Sequence, residues 1–202
     1  MEKKRLEEIR TLLINVDMVN GFVVEGPMSD SYIQHIIEPQ IEIIEILKKE
    51  KAAQIAFIKE AHEKECEEFK RYPKHCVKGT FEAELVKQLK LYEQDALLYE
   101  KNSTSAIFAN KFMTDIEKMK KLREVIVTGC CTDICVMDLA VPLKKYFDQV
   151  DQNVAVIIPK NAVETFDSPT HNREEWNEIA FKVMEQAGIQ LVKSYNFFRK
   201  WY

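Results

Sequence analysis

The feature that most constrains the fold is the stretch of residues 123–143, which reads Arg-Glu-Val-Ile-Val-Thr-Gly-Cys-Cys-Thr-Asp-Ile-Cys-Val-Met-Asp-Leu-Ala-Val-Pro-Leu. Its β-branched run at 125–127 predicts a short strand that is buried on both faces of a parallel sheet. Gly129 ends this strand, and Thr132 or Asp133 is expected to cap the helix that follows. Pro142 should then kink or divide that helix, because proline removes a backbone donor.

Cys135 falls in the first turn of this predicted helix. Unpaired N–H groups and the positive end of the helix dipole lower the pKa of a thiol at such a position. Cys135 is therefore a candidate nucleophile. The alternative is a small buried residue without chemistry, which is the usual role of a free cysteine.

The composition limits the classes of function. A chain of 202 residues suits a single domain over 1–202, and its net charge of −4 gives no reason to expect nucleic acid or an anionic membrane as a partner. No apolar run approaches the roughly 20 residues of a membrane span, and no secretory signal opens the chain. The odd number of cysteines, with Cys130 and Cys131 adjacent, fits a reducing compartment, so we expect a cytoplasmic protein.

Short apolar strands alternate with amphipathic helices along the chain. We predict six strands, at 11–17, 53–58, 96–99, 125–127, 154–158 and 190–192. Helices are predicted at 39–51 with Pro39 at its first position, at 80–89 with Thr80 as its cap, at 114–122, after Cys135, and at 172–187 with Trp176, Ile179, Ala180, Val183 and Ala187 on its buried face. The alternation predicts an α/β fold in which helices cover both faces of a parallel sheet.

In such a sheet, ligands bind beyond the carboxyl ends of the strands. Asp17, Lys101 and Cys135 lie at or just beyond the ends of the first, third and fourth predicted strands. The topology could therefore bring these three distant residues to one crevice.

Three separated motifs identify a family. Asp17 and Phe22 form an Asp-x-x-x-x-Phe pattern, Lys101 is followed by Ser105-Ala106 and Phe108, and residues 129–136 read Gly-x-x-Thr-Asp-x-Cys-Val. With these motifs in order between about residues 11 and 192, the chain resembles the isochorismatase-like cysteine hydrolases, and among them the nicotinamidase/pyrazinamidase branch. The resemblance implies a three-layer αβα fold with a doubly wound, six-stranded, mostly parallel sheet. It also implies a Cys-Asp-Lys catalytic set and a cis peptide bond between Cys130 and Cys131.

The chemistry of an amidase explains these residue types. The attacking sulfur should be a thiolate, and Lys101 would lower the pKa of Cys135 below the value of about 8.5 for a free cysteine. Asp17 would accept the thiol proton and pass it to the departing amine. The backbone N–H groups of Cys131 and Cys135 would form the oxyanion hole.

A second set of residues, Glu60, His62, Glu68 and His75, falls in a segment that carries a divalent metal in this branch. Zinc is the expected metal, with iron or manganese as alternatives, since all three accept mixed imidazole and carboxylate ligands. Glu60 stands where the family usually has aspartate, which puts its coordination in question. The alternative is a solvated run of charges, because lysines and glutamates surround these residues.

Phe22, Tyr72 and Phe108 fall where the branch places aromatic side chains against a flat ring substrate, although plain core packing is the alternative. The implied function is hydrolysis of a small amide with release of ammonia through a Cys135 thioester, with nicotinamide as the expected substrate and a homo-oligomer as the expected assembly. Other possibilities are a carbamoyl or ureido substrate, isochorismate, or a binding protein without chemistry. His35 and His171 receive no role from the sequence.

Overall fold

The computed structural model describes residues 4–195. Within them, seven parallel strands form one sheet: β1 (Thr11–Val16), β2 (Ala53–Glu60), β3 (Leu97–Lys101), β4 (Glu124–Cys130), β5 (Ala155–Pro159), β6 (Val163–Glu164) and β7 (Gln190–Val192). The strand order is β3-β2-β1-β4-β5-β7, and the short β6 pairs with the end of β4. All six predicted strands are present, whereas β6 was not predicted.

Helices cover both faces of the sheet. They are α1 (Asn20–Val23), α2 (Ile37–Leu47), α3 (Lys87–Lys90), α4 (Phe112–Lys118), α5 (Met137–Gln149) and α6 (Arg173–Gln186). Leu12 and Ile14 of β1 belong to one buried cluster and Leu13 to another, as expected when successive side chains point to opposite faces. The first cluster contains the buried faces of α4, α5 and α6, and the second contains those of α2 and α3. This is the predicted three-layer αβα arrangement.

The prediction of a continuous helix at 80–89 is wrong. The segment forms a 3₁₀ turn at Phe81–Ala83 and the single-turn helix α3, separated by an extended stretch. That stretch pairs with the loop after β1, because Val86 N–H donates to Met18 O at 3.0 Å and Asn20 N–H donates to Glu84 O at 2.9 Å. The Thr80 hydroxyl donates to Val77 O instead of capping a helix.

Three other helices differ from their predicted bounds. Helix α2 begins at Ile37, so Pro39 lies inside its first turn, where a missing N–H is tolerated. Helix α4 begins and ends earlier than the predicted range of 114–122. In α6, Trp176, Ile179 and Val183 are 38%, 40% and 41% exposed, contrary to the prediction. Ala180 is buried as predicted, and Phe181 and Met184 complete the buried face.

Helix α5 runs through Pro142 without interruption, so the expected division is wrong. The proline leaves the carbonyl of Asp138 without its helical N–H donor. Ser105 Oγ donates to this carbonyl at 2.8 Å, which replaces the lost hydrogen bond from outside the helix. Neither Thr132 nor Asp133 caps the helix; the chain enters it through a π-helical turn, Thr132–Val136, which contains Cys135.

The carboxyl ends of β1, β2, β3 and β4 meet at one edge of the sheet. Residues Asp17, Glu60, Lys101 and Cys131 lie at or directly after these ends. None of the helices in the described part of the chain combines the length and the apolar character needed to cross a membrane.

Candidate active site

Parallel pairing sets the positions of the charged residues at this edge. In the register of β2 and β3, Glu60 stands opposite Lys101, and each is the last residue of its strand. Asp17 follows β1 with a positive φ of 53°, and its N–H donates to Ile58 O at 3.0 Å. The left-handed backbone is uncommon for residues other than glycine, although aspartate tolerates it better than most. The sheet therefore brings both carboxylates and the lysine to one place.

Lys101 is the centre of a fully buried polar cluster. Its Nζ lies 2.9 Å from Asp17 Oδ2, donates to Glu60 Oε2, and donates to Cys135 Sγ at 3.6 Å. Cys135 Sγ lies 4.0 Å from Glu60 Oε2. The structure thus brings Asp17, Lys101 and Cys135 together in one crevice, and it adds Glu60 as a second carboxylate beside the lysine.

This second carboxylate changes the electrostatics of the thiol. Burial raises the pKa of Cys135 well above its ordinary value; Lys101 lowers it by less, and Asp17 and Glu60 raise it further. The expected low pKa of Cys135 is therefore wrong for this state of the protein. The burial of Cys135 beside two carboxylates outweighs the ammonium and the helix end on which the expected low pKa was based.

Asp17, Glu60 and Lys101 differ in whether they change protonation state near neutral pH. Burial raises the pKa of Asp17 to about 7, even though Lys101 lowers it. Burial would also raise the pKa of Glu60, but Lys101 and His62 outweigh this effect and hold it below its usual value. For Lys101, burial lowers the pKa, and the neighbouring Asp17, Cys135 and Glu60 more than reverse this. Lys101 and Glu60 therefore stay charged, while Asp17 can take and release a proton near neutral pH.

The turn that carries Cys135 starts from a tightly packed strand end. A Cβ on Gly129 would lie 1.9 Å from Val16 O, and the φ of Gly129 is 118°, so only glycine fits at this point. The peptide bond between Cys130 and Cys131 is cis, which agrees with the resemblance. Cys131 and Cys135 both line the adjoining cavity.

The segment predicted to bind metal is buried, unlike the charged residues that surround it. Glu60 and His62 are 2% and 0% exposed, which excludes the reading as a solvated run of charges. Glu60 Oε1 lies 2.9 Å from His62 Nε2, yet the two atoms do not form a hydrogen bond of acceptable geometry. One ligand atom from each of Glu60, His62 and Glu68 lies within 4.8 Å of the others.

Both histidines of this segment hold one nitrogen in a hydrogen bond and leave the other available. His62 Nδ1 lies 3.3 Å from Asn102 Oδ1, which also accepts from Glu63 N–H, and 3.2 Å from Cys66 Sγ. His75 Nδ1 donates to Pro73 O at 2.8 Å. With the ring proton on Nδ1, each histidine could bind a cation through Nε2, and His62 Nε2 faces the carboxylates of Glu60 and Glu68 at 2.9 and 3.8 Å. His75 lies outside the group of three, with its ring centroid 4.7 Å from that of His62.

A cavity of about 310 Å³ opens beside these two clusters. Its lining comprises Phe22, Met28, Glu60, Glu68, Tyr72, His75, Thr104, Cys131, Asp133, Ile134, Cys135, Phe166, His171 and Trp176. The wall is mostly aromatic and apolar, with the thiol of Cys135 on one side. A small molecule fits a space of this volume.

Comparison with known proteins settles the family. The family model described as Isochorismatase domain matches residues 11–194. The chain belongs to the isochorismatase family. This family member is 31% identical to Nicotinamidase 1 of Arabidopsis thaliana over 212 residues, which cover 92% of this chain and 86% of that protein.

Solved structures agree with the assignment of the fold. A pyrazinamidase/nicotinamidase from Streptococcus mutans superimposes with a TM-score of 0.77 at 20% identity, covering 90% of this isochorismatase-family chain and 99% of that one. A pyrazinamidase of Pyrococcus horikoshii in complex with zinc gives a TM-score of 0.72 at 26% identity, covering 91% and 98% of the two chains.

Two of the three aromatic residues predicted for the pocket line the cavity, namely Phe22 and Tyr72. Phe108 does not, because its 3₁₀ turn buries Ala106 and leaves Phe108 81% exposed. Sequence reasoning missed Met28, Thr104, Asp133, Ile134, Phe166, His171 and Trp176 as lining residues. Asp133 belongs to the Gly-x-x-Thr-Asp-x-Cys-Val motif, so the sequence offered a signal for it. Phe166 and His171 follow β6, a strand too short to detect from hydrophobic periodicity.

Proposed function

We propose that this isochorismatase-family protein is a cysteine amidase that hydrolyses nicotinamide to nicotinate and ammonia. The observation that carries the proposal is the 3.6 Å contact between Lys101 Nζ and Cys135 Sγ, made at the wall of a small aromatic cavity. Similarity to Nicotinamidase 1 of Arabidopsis thaliana over most of the chain supports nicotinamide as the substrate.

In the proposed reaction, Asp17 takes the proton of Cys135 as Sγ attacks the amide carbon. The pKa of about 7 for Asp17 suits this transfer, because a base works best when its pKa is near the working pH. The tetrahedral intermediate collapses as the C–N bond breaks, and Asp17 gives its proton to the leaving nitrogen. Water then attacks the thioester, and Asp17 accepts a proton from it. As the C–S bond breaks, Asp17 returns this proton to Sγ, so that Cys135 leaves as the thiol and the pyridine carboxylic acid is released.

Lys101 has two tasks in this scheme. It stabilises the thiolate as it forms, since its ammonium already contacts Sγ. It also holds Asp17 in place through the 2.9 Å ion pair, so that the carboxylate reaches both the thiol and the leaving group. The backbone N–H groups of Cys131 and Cys135 are proposed to stabilise the oxyanion.

Glu60, His62, Glu68 and His75 would hold a divalent metal, and the free Nε2 atoms of the two histidines fit this assignment. We propose zinc, which the Pyrococcus horikoshii pyrazinamidase contains. When bound, the metal would supply a Lewis acid for a ring nitrogen of the substrate. The chain itself would orient the ring through Phe22 and His75, whose ring centroids lie 5.5 Å apart.

The test is ammonia release from nicotinamide, compared with pyrazinamide and with carbamoyl and ureido compounds, using zinc-loaded protein. We expect nicotinamide to be the best substrate. Cys135→Ala should abolish release, whereas the matched variant Cys131→Ala should retain kcat within a few-fold, because only its backbone N–H takes part. Turnover of another amide but not of nicotinamide would refute the substrate; full activity of Cys135→Ala would refute the mechanism.

A homo-oligomer, a cytoplasmic location and a single domain over 1–202 remain predictions. Light scattering of the purified protein measures the first of these directly.

A further inference from the structure

His171 lies on the cavity wall, and the proposed reaction gives it no task. Its imidazole is packed between two aromatic rings in nearly parallel planes. The centroid of Phe166 lies 3.9 Å away at an interplanar angle of 12°, and that of Trp176 lies 5.0 Å away at 1°. Both faces of the ring are therefore covered, so His171 acts through its ring edge.

Both nitrogens on that edge meet oxygen acceptors. His171 Nδ1 lies 3.0 Å from Phe166 O, and Nε2 lies 2.9 Å from Asp133 Oδ2. The side chain of Asp133 is only 5% exposed, and its Oδ1 has no hydrogen-bond partner among residues 4–195. His171 is thus the group in the described chain that compensates this buried carboxylate.

The segment that carries His171 is itself firmly held. Ser168 and His171 exchange backbone hydrogen bonds of 3.0 and 3.1 Å. Arg173 Nε donates to Thr165 O at 2.9 Å, and its guanidinium pairs with Asp30. This anchoring makes the segment a fixed support for whatever His171 holds.

What His171 holds is the middle of the turn that carries the nucleophile. Asp133 stands two residues after Cys131 and two before Cys135, in the turn Thr132–Val136. That turn is π-helical, and Cys131 O accepts from both Ile134 N–H at 3.2 Å and Val136 N–H at 3.0 Å. Such a turn lacks the regular bonding of an α-helix, and it benefits from support by a neighbouring side chain.

We propose that His171 is a positioning residue for the amidase reaction, and that it aligns the Cys135 turn by holding the Asp133 carboxylate. The inference rests on the proposed function, because the alignment serves the attack of Cys135 and the oxyanion hole. Loss of the hydrogen bond should misalign the N–H groups of the turn, and one misplaced oxyanion donor typically lowers kcat by about 10²-fold.

Two variants separate the hydrogen bond from the stacking. His171→Phe keeps a ring between Phe166 and Trp176 but removes both ring nitrogens, and we expect kcat to fall about 10²-fold with a change in KM below fivefold. His171→Gln keeps an N–H donor for Asp133 but loses the stack, and it should retain kcat within about fivefold of the wild type. The double variant His171→Phe/Asp133→Asn leaves no buried charge unpaired and should be no slower than His171→Phe alone.

Each variant is assayed on nicotinamide and on p-nitrophenyl acetate, an activated ester that needs the nucleophile and the oxyanion hole but no ring pocket. The rate of Cys135→Ala is subtracted as background. If the wild type hydrolyses only the ester, the proposed substrate fails, while the ratio between His171→Phe and wild type still decides the inference. An unchanged kcat in His171→Phe, or a kcat of His171→Gln as low as that of His171→Phe, would overturn it.

Discussion

Lys101→Met is the substitution that probes the buried charge cluster most sharply. Lys101 is the cation that faces Asp17 and Glu60, and all three side chains are at most 2% exposed. Removing one partner of a buried ion pair leaves an uncompensated charge, which typically destabilises a protein by about 3–5 kcal/mol. We therefore expect a loss of this size in the free energy of unfolding at pH 8, together with loss of amidase activity.

The loss in the free energy of unfolding should be larger at high pH than at low pH. Without Lys101, the pKa values of Asp17 and Glu60 rise, so the native variant binds protons that its unfolded chain has already released. Stability then increases as the pH falls, because the native state binds more protons than the unfolded state. The difference in the free energy of unfolding between variant and wild type should be largest at pH 8. It should be smaller at pH 5.5, which lies below the pKa of about 7 for Asp17 in the wild type.

The assay is urea denaturation at both pH values, with a chelator present so that metal binding does not contribute. Lys70→Met is the matched control, since the Lys70 side chain is 73% exposed and pairs with Glu67 on the surface; it should leave the midpoint unchanged within error. A Lys101→Met protein as stable as wild type at pH 8 would refute the argument that these charges are buried together.

Three other predictions test separate parts of the site. The value of kcat/KM should rise with pH through about 7 as Asp17 loses its proton, and a flat profile between pH 6 and 8 would argue against Asp17 as the base. Glu60→Gln should lower the zinc content after dialysis, measured by elemental analysis, relative to Glu60→Asp, which keeps the carboxylate; equal contents would remove Glu60 from the ligand set. Gly129→Ala should fail to give folded protein, because its Cβ would lie 1.9 Å from Val16 O, and a normal melting curve would contradict this.

The clustering of residues at the strand ends could be predicted from the sequence, because the carboxyl ends of parallel strands lie at the same edge of a sheet. That rule predicts that Asp17, Lys101 and Cys135 can meet in one crevice, and the structure brings them together. The contact between Glu60 and Lys101 could not be predicted in this way. It depends on the register of β2 and β3, which sets the two residues opposite each other, and no local pattern reports that register.

Other failures have similar tertiary causes. The segment 80–89 has a helical pattern, but its pairing with residues 18–20 gives an extended stretch instead. Phe108 belongs to a recognisable motif, yet the direction of its side chain depends on one 3₁₀ turn. His171 acquires its partners only when the segment after β6 folds against the Cys135 turn.

The central claim is that Cys135 forms a thioester with the substrate. The direct measurement is to mix zinc-loaded protein with nicotinamide, quench with acid within the first turnovers, and determine the mass of each cysteine-containing peptide. We expect one nicotinoyl group on the peptide that contains Cys135, and none on that peptide in Cys135→Ala. Ammonia release at the wild-type rate without this adduct, or with the adduct on another cysteine, would contradict it.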